Sequence, residues 1–162
     1  MSLPLVVTTS SPSQTKALGS ALAGLLGDGD LVVLAGDLGA GKTCLTQGIG
    51  AGLGVTGRIT SPTFTIANEH IGRIPLHHLD VYRLDQLEET LDLDLPELLE
   101  HGVTVIEWGE PFLPALSEDR LIIRLFLGPD DDDRRIEFEL HAGFVDRLDA
   151  LRVAIAPWSV SC

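Results

Sequence analysis

The stretch Gly36-Asp37-Leu38-Gly39-Ala40-Gly41-Lys42-Thr43 fits G-x-x-x-x-G-K-[ST] and lies between a β-like run and a helix-like run. The preceding run, Leu31-Val32-Val33-Leu34-Ala35, is short, apolar and β-branched at its centre, the character of a strand buried on both faces. Glycines after such a strand let successive backbone N–H groups turn inward as an anion nest, and a helix starting near Lys42 adds its positive N-terminal end. Phosphate groups are what this concavity holds. With Lys42 and Thr43, the candidate nucleotide-binding residues here are Asp37, Leu38, Gly39, Ala40, Gly41 and the following Cys44. Lys42 reaches the β- and γ-phosphates as a point charge, and the Thr43 hydroxyl is placed to ligate Mg²⁺.

At 162 residues the chain is one domain's worth, long enough to bury about two-thirds of the surface its unfolded form exposes. The expected organisation is a single P-loop domain over residues 1–155, with 156–162 as a flexible tail. No apolar run reaches the roughly eighteen residues of a membrane span. Residues 1–7 lack the basic region and long apolar core of a signal peptide, so a cytoplasmic location is expected. Cys44 and Cys162 lie far apart without metal-ligand spacing, which argues against a disulfide framework or a zinc site. In the first turn of a helix the dipole would favour the Cys44 thiolate, whereas the simpler reading is a small buried side chain. A net charge of −13 speaks against this chain alone gripping a nucleic-acid backbone; it fits either a basic protein partner or acidity that simply keeps the protein soluble. Part of that charge, Asp130 to Asp133 after Gly128-Pro129, reads as an exposed turn rather than a metal site.

Along the chain, Ala17, Leu18, Ala21, Leu22, Leu25 and Leu26 repeat with helical period over Ser13–Leu26, with Ser11 or Ser13 as N-cap. Lys42–Leu53 forms the helix after the phosphate loop. Gly48, Gly50 and Gly52 weaken it by about 1 kcal/mol each against Ala, which points to close packing on the sheet. Thr60–Thr65 is a hydroxyl-rich loop, because Pro62 keeps Ser61 out of α geometry, and it leads into a strand Phe64–Asn68. Its hydroxyls either meet the γ-phosphate and Mg²⁺, as switch segments do, or simply make the turn. Leu76–Arg83 is a strand on which His77 and His78 point to opposite faces and cannot share a metal. If that strand lies beside the phosphate loop, Asp80 at its carboxyl end faces the crevice where open α/β sheets bind ligands. Leu84–Leu99 makes one or two acidic helices divided at Pro96, and Gly102–Trp108 is a buried strand ending in a carboxylate. That is a Walker B layout with Glu107 in place of the usual Asp, and Trp108 beside it either covers the site or, the simpler reading, fills core. Arg120–Leu127 and Arg135–His141 form a hairpin with Ile136, Phe138 and Leu140 inward, and Phe144–Ile155 is a last helix.

Four pieces stand in order: GDLGAGKT at 36–43, SPTFT at 61–65, HLDVYRL at 78–84 and EW at 107–108. Together they closely resemble the TsaE (YjeE) family of small bacterial ATPases, over about Ser11 to Leu151. The resemblance implies a P-loop α/β fold: a central mixed sheet flanked by helices, with a C-terminal hairpin and helix. It implies ATP and Mg²⁺ as cofactors, an ATPase weak in isolation, and a role in N6-threonylcarbamoyladenosine modification at adenosine 37 of ANN-decoding tRNAs. The implied partners are TsaD, which transfers the threonylcarbamoyl group, and TsaB; tRNA is met only through that complex. Residue by residue, the resemblance implies that Gly39 to Thr43 cradle the phosphates and that Thr43 with Glu107 holds Mg²⁺. Asp80, Glu107 and Lys42 are then the catalytic set, with Thr63 near Asp80. Ser11 or Thr15 resembles the family's nucleotide-contacting N-terminal segment, and Arg134 or Arg135 on the hairpin approaches the nucleotide. Cys44 stands where Thr or another small residue is common in the family.

Two other functions share the phosphate loop. A small-molecule kinase needs an Arg-bearing lid over its substrates, and Leu84–Leu99 contains no Arg. A non-catalytic, nucleotide-gated binding module would carry the same site residues and differ only in turnover.

Overall fold

The computed structural model describes residues 5–36, 39–57, 59, 67–80, 101–107 and 119–159. Strand β2 (Leu31–Gly36) is the apolar run before the phosphate loop, and Leu31 to Ala35 are all buried, as a strand covered on both faces requires. It pairs in parallel with β5 (Val103–Glu107) on one side and β6 (Arg120–Leu127) on the other. Strand β4 (Leu76–Asp80) runs parallel to β5 and antiparallel to β3 (Ala67–His70). At the other edge β7 (Arg134–His141) pairs antiparallel with β6 and with β1 (Leu5–Thr9). The result is one mixed sheet in the order β1-β7-β6-β2-β5-β4-β3. The expected C-terminal hairpin, β6 with β7, is built into this sheet. Ile136 and Phe138 are buried as expected, and Leu140 is half-buried.

Helices α1 (Pro12–Ala23), α2 (Lys42–Gly52) and α3 (Leu148–Ile155) supply the main core, where Leu18, Leu22, Leu45, Ile49, Leu151 and Ile155 join Val32, Leu34, Val105 and Ile123 of the sheet. Ser11 is the cap of α1: its Oγ accepts from Gln14 N at 3.1 Å, and Pro12 holds the first helical position. The α-helix ends at Ala23, three residues before the apolar period does. Leu25 and Leu26 donate instead to carbonyls three residues back, which tightens the last turn and still buries Leu26. Gly143 and Phe144 likewise lie in a 3-10 segment, Ala142–Arg147, ahead of α3. Arg147 ties this segment to the base of β2 through both carboxylate oxygens of Asp30, at 2.5 and 2.9 Å. Of the residues expected as a flexible tail, Ala156–Trp158 make a 3-10 turn and Ser159 bridges to Val7. Residues 160–162 lie outside the described residues, as do the Thr60–Thr65 loop, Tyr82, Arg83 and the Leu84–Leu99 helices.

Two of the three α2 glycines face a helix, not the sheet. A Cβ at Gly48 would lie 2.1 Å from the Lys16 carbonyl oxygen, and one at Gly52 would lie 2.6 Å from that of Ser20. Gly19 of α1 answers from the other side, where a Cβ would be 2.5 Å from Leu45 O. Only Gly50 looks towards the sheet side, against Ile59 and Leu76. Gly48→Ala is expected to lower stability by about 1–3 kcal/mol despite Ala's better helix propensity, since overpacking here meets backbone. Urea unfolding beside Gly27→Ala, whose Cβ would meet nothing within 4 Å, checks this.

Candidate functional site

At the carboxyl end of β2 the chain turns on glycines. Gly36, Gly39 and Gly41 have φ of 147°, 84° and 102°, values that side-chain-bearing residues rarely adopt. Gly36 also abuts β6, where a Cβ would fall 2.5 Å from Leu125 O, whereas a Cβ at Gly39 would meet nothing within 4 Å. The loop is thus pinned at its root and open at its middle. Gly41 caps α2 and, having no side chain, makes no side-chain cap hydrogen bond to the first N–H groups of that helix. Lys42 is buried, and its ammonium donates to Gly36 O at 2.8 Å across the base of the loop. Ala40 is buried beneath it, and Asp37 and Leu38 lie outside the described residues.

Glu107 closes the floor. It ends β5 with 2% exposure and stands in register with Leu34 of β2 and Asp80 of β4. The Thr43 hydroxyl donates to its Oε1 at 3.3 Å, and His78 Nε2 donates to its Oε2 in a short contact. A carboxylate this deep is costly unless hydrogen-bonded, and these two donors, from α2 and β4, meet that need. Asp80 occupies the adjacent backbone position on β4; its side chain, Thr63 and Trp108 lie outside the described residues. His77 goes elsewhere, pairing through Nε2 with His101 O at 2.9 Å, which agrees with opposite faces for the two histidines.

The start of α1 and the tip of the β6–β7 hairpin form the outer wall. A cavity of about 220 Å³ is lined by Pro12, Thr15, Gly39, Gly41, Cys44 and Arg134. A larger one of about 530 Å³ continues past Thr8, Ser10, Gln14, Leu127, Pro129 and Arg135. The Ser11 hydroxyl is spent on capping α1, and Thr15 Oγ1 bonds Thr9 Oγ1 at 2.8 Å, so Thr15 reaches the cavity with its hydroxyl already engaged. Arg134, not Arg135, touches the loop: its Nη2 donates to Gly39 O at 3.1 Å while Nη1 holds the carbonyls of Asp131 and Asp133. Arg135 pairs instead with Glu137 at 2.6 Å. Burial pushes the Cys44 thiol pKa up, with Lys16 and Arg134 opposing, and the thiol contacts Pro12 O at 3.3 Å. The helix-dipole reading of an activated thiolate is not supported. Sequence reading assigned no role to His78 or to the wall residues Gln14, Leu127 and Pro129; strand alternation did put His78 and Asp80 on one face, a signal that needed the neighbouring strand to be interpreted.

A mixed α/β sheet with G-x-x-x-x-G-K-T after a central parallel strand defines a P-loop nucleotide-binding protein. A family model described as threonylcarbamoyl adenosine biosynthesis protein TsaE matches residues 9–136. The tRNA threonylcarbamoyladenosine biosynthesis protein TsaE of Streptomyces coelicolor is 54% identical over 114 residues, covering 68% of this chain and 77% of that protein. Its Bacillus subtilis counterpart is 42% identical over 132 residues, covering 80% and 82%. The crystal structure of YdiB from Bacillus subtilis superposes with a TM-score of 0.77 at 34% identity, over 97% of both chains. The chain belongs to the TsaE family.

Arg134→Ala is expected to weaken nucleotide binding about tenfold, roughly 1.4 kcal/mol, and Arg135→Ala to leave it nearly unchanged. Isothermal titration with ADP decides; equal losses would mean that contact with Gly39 is not what distinguishes the two.

Proposed function

We propose that this chain is an ATPase serving N6-threonylcarbamoyladenosine formation in tRNA, and that it acts on a complex of TsaD and TsaB rather than on RNA directly. The observation that carries the reading is the α2 N-terminus with no side-chain cap, framed by Gly39, Gly41 and Lys42 and set beside the hydrogen-bonded Thr43–Glu107 pair. The relatives' shared name supplies the pathway, and the charge of −13 favours a protein partner over direct contact with tRNA.

The backbone N–H groups of residues 39–44, with Lys42, are assigned to the phosphates; Asp37 and Leu38 complete the loop in sequence. Thr43 and Glu107 present a hydroxyl and a carboxylate, hard oxygen donors that fit Mg²⁺. When bound, Mg²⁺ would offset charge on the β- and γ-phosphates. Asp80, next to Glu107 across the strand pair, is assigned to placing the attacking water, and Thr63 of the SPTFT motif is assigned to assist it. The larger cavity suits the nucleoside: Leu127 and Pro129 offer apolar surface, Thr8 and Gln14 polar groups, and Arg134 spans from there to the loop. Ser11 and Thr15 act by shaping that wall. Among the described residues no helix is long and apolar enough to cross a membrane, and the cytoplasm is the proposed location.

Hydrolysis is set by the partners. In the sequence no Gln or Arg stands directly next to Thr63 or Asp80, and P-loop enzymes lacking a fixed finger gain about 10³–10⁵ when a partner completes the site. Lys42→Ala is expected to abolish ATP-dependent function with the fold retained, as read by nucleotide titration and circular dichroism. Asp80→Ala should keep ATP binding yet fail to hydrolyse ATP in the assembled complex. Single-turnover hydrolysis with TsaB and TsaD homologues tests the whole reading: absence of stimulation of the wild type, or equal rates for Asp80→Ala, would overturn it. ATP binding without any turnover would favour the nucleotide-gated binding module instead.

A further inference from the structure

His78 is the one fully buried histidine that touches the site, at 0% side-chain exposure against 3% for Glu107. Its placement follows from the sheet. In the parallel β4–β5 pair His78 stands opposite Val105, and Glu107 lies two residues further along β5, on the face that Val105 shares. His78 and Glu107 are therefore diagonal neighbours on one face, and the imidazole reaches the carboxylate sideways through Nε2.

The two donors to Glu107 approach different oxygens. Thr43 Oγ1 donates to Oε1 and His78 Nε2 to Oε2, so rotation of the carboxylate about its last torsion breaks one bond or both. Nε2 must carry a proton, because an ionised carboxylate only accepts. Nδ1 of the same ring is buried and has no hydrogen-bond partner among the described residues. An apolar side chain of similar shape would pack here without that unmet lone pair, so the imidazole is retained at a cost. His77 shows no such economy: its Nε2 meets a backbone carbonyl and its Nδ1 lies 3.5 Å from Glu69.

We propose that His78 is a positioning residue for Glu107, holding the carboxylate plane so that its remaining lone pairs stay on the side where Thr43 stands. The inference rests on the assignment of Thr43 and Glu107 to the Mg²⁺ site. Partners of this kind, one bond removed from a metal, typically change metal affinity about 10–100-fold when lost. The oxygen donors remain in place; what is lost is their orientation.

The test is the fluorescence of a methylanthraniloyl-labelled ADP titrated into wild type, His78→Phe, His78→Asn, His78→Gln and Glu107→Gln, each with Mg²⁺ and with EDTA, alongside thermal unfolding. His78→Phe keeps the packing and removes the donor. The Asn amide falls short of Glu107, while the Gln amide places an N–H near the position of Nε2. The gain in affinity on adding Mg²⁺ is expected to shrink about tenfold or more in His78→Phe and His78→Asn and to be largely restored in His78→Gln, with affinity in EDTA little changed. If His78→Phe fails to fold, the Asn and Gln pair carries the comparison. A normal Mg²⁺ gain in the His78 variants with loss in Glu107→Gln would overturn the role of His78 alone. Equal weakening with and without Mg²⁺ would overturn it too. A normal gain in Glu107→Gln would instead remove the metal assignment on which the inference stands.

Discussion

Helices α1 and α2 approach until backbone meets backbone, and the geometry of the site depends on that approach. Gly19 on one helix and Gly48 and Gly52 on the other leave no room for a β-carbon. Near Gly41 the same approach brings Thr15 Cγ2 to the loop, where a Cβ on that glycine would lie 3.9 Å away. Pro12 and Thr15 thereby share a cavity with Gly39 and Cys44, although they belong to different helical units. The glycines cost helix propensity in α2, about 1 kcal/mol each, and packing along α1 offsets it.

A second constraint is the burial of Glu107. An acidic group at 2% exposure among strands of Val, Leu and Ile is tolerable only with donors in place, and α2 and β4 each contribute one. The carboxylate consequently links three elements: its own β5, the helix that follows the phosphate loop, and the strand that carries Asp80.

The parts legible in the sequence were those with local signals. An apolar run, a glycine pattern with Lys and Thr, and Ser11-Pro12 before a helical period set β2, the phosphate loop and the start of α1 to within a few residues. What failed to read out was set by neighbours. Which way the α2 glycines face depends on α1, packed against them from a separate segment. The choice between Arg134 and Arg135 depends on the turn geometry that fixes Arg134 against three carbonyls. His78 had the right parity on its strand, but its partner follows only from β4 lying next to β5. The end of α1 was overestimated because Leu25 and Leu26 keep the apolar period after the hydrogen bonding has tightened.

Thr9 is paired with Arg134 across β1 and β7, well over a hundred residues apart in sequence, and among the described strands β1 has no other neighbour. The phosphate loop, by contrast, is one short strand–turn–helix unit. Contacts of such unequal sequence separation form at unequal cost in chain entropy, the local ones first. On a ribosome, residues 31–52 emerge long before β7 exists, so the phosphate loop can take shape while the cavity wall that β7 contributes to is still missing its far half. The outer wall is completed only when β7 reaches β1, and its formation reports that the chain has been made and folded at least as far as β7.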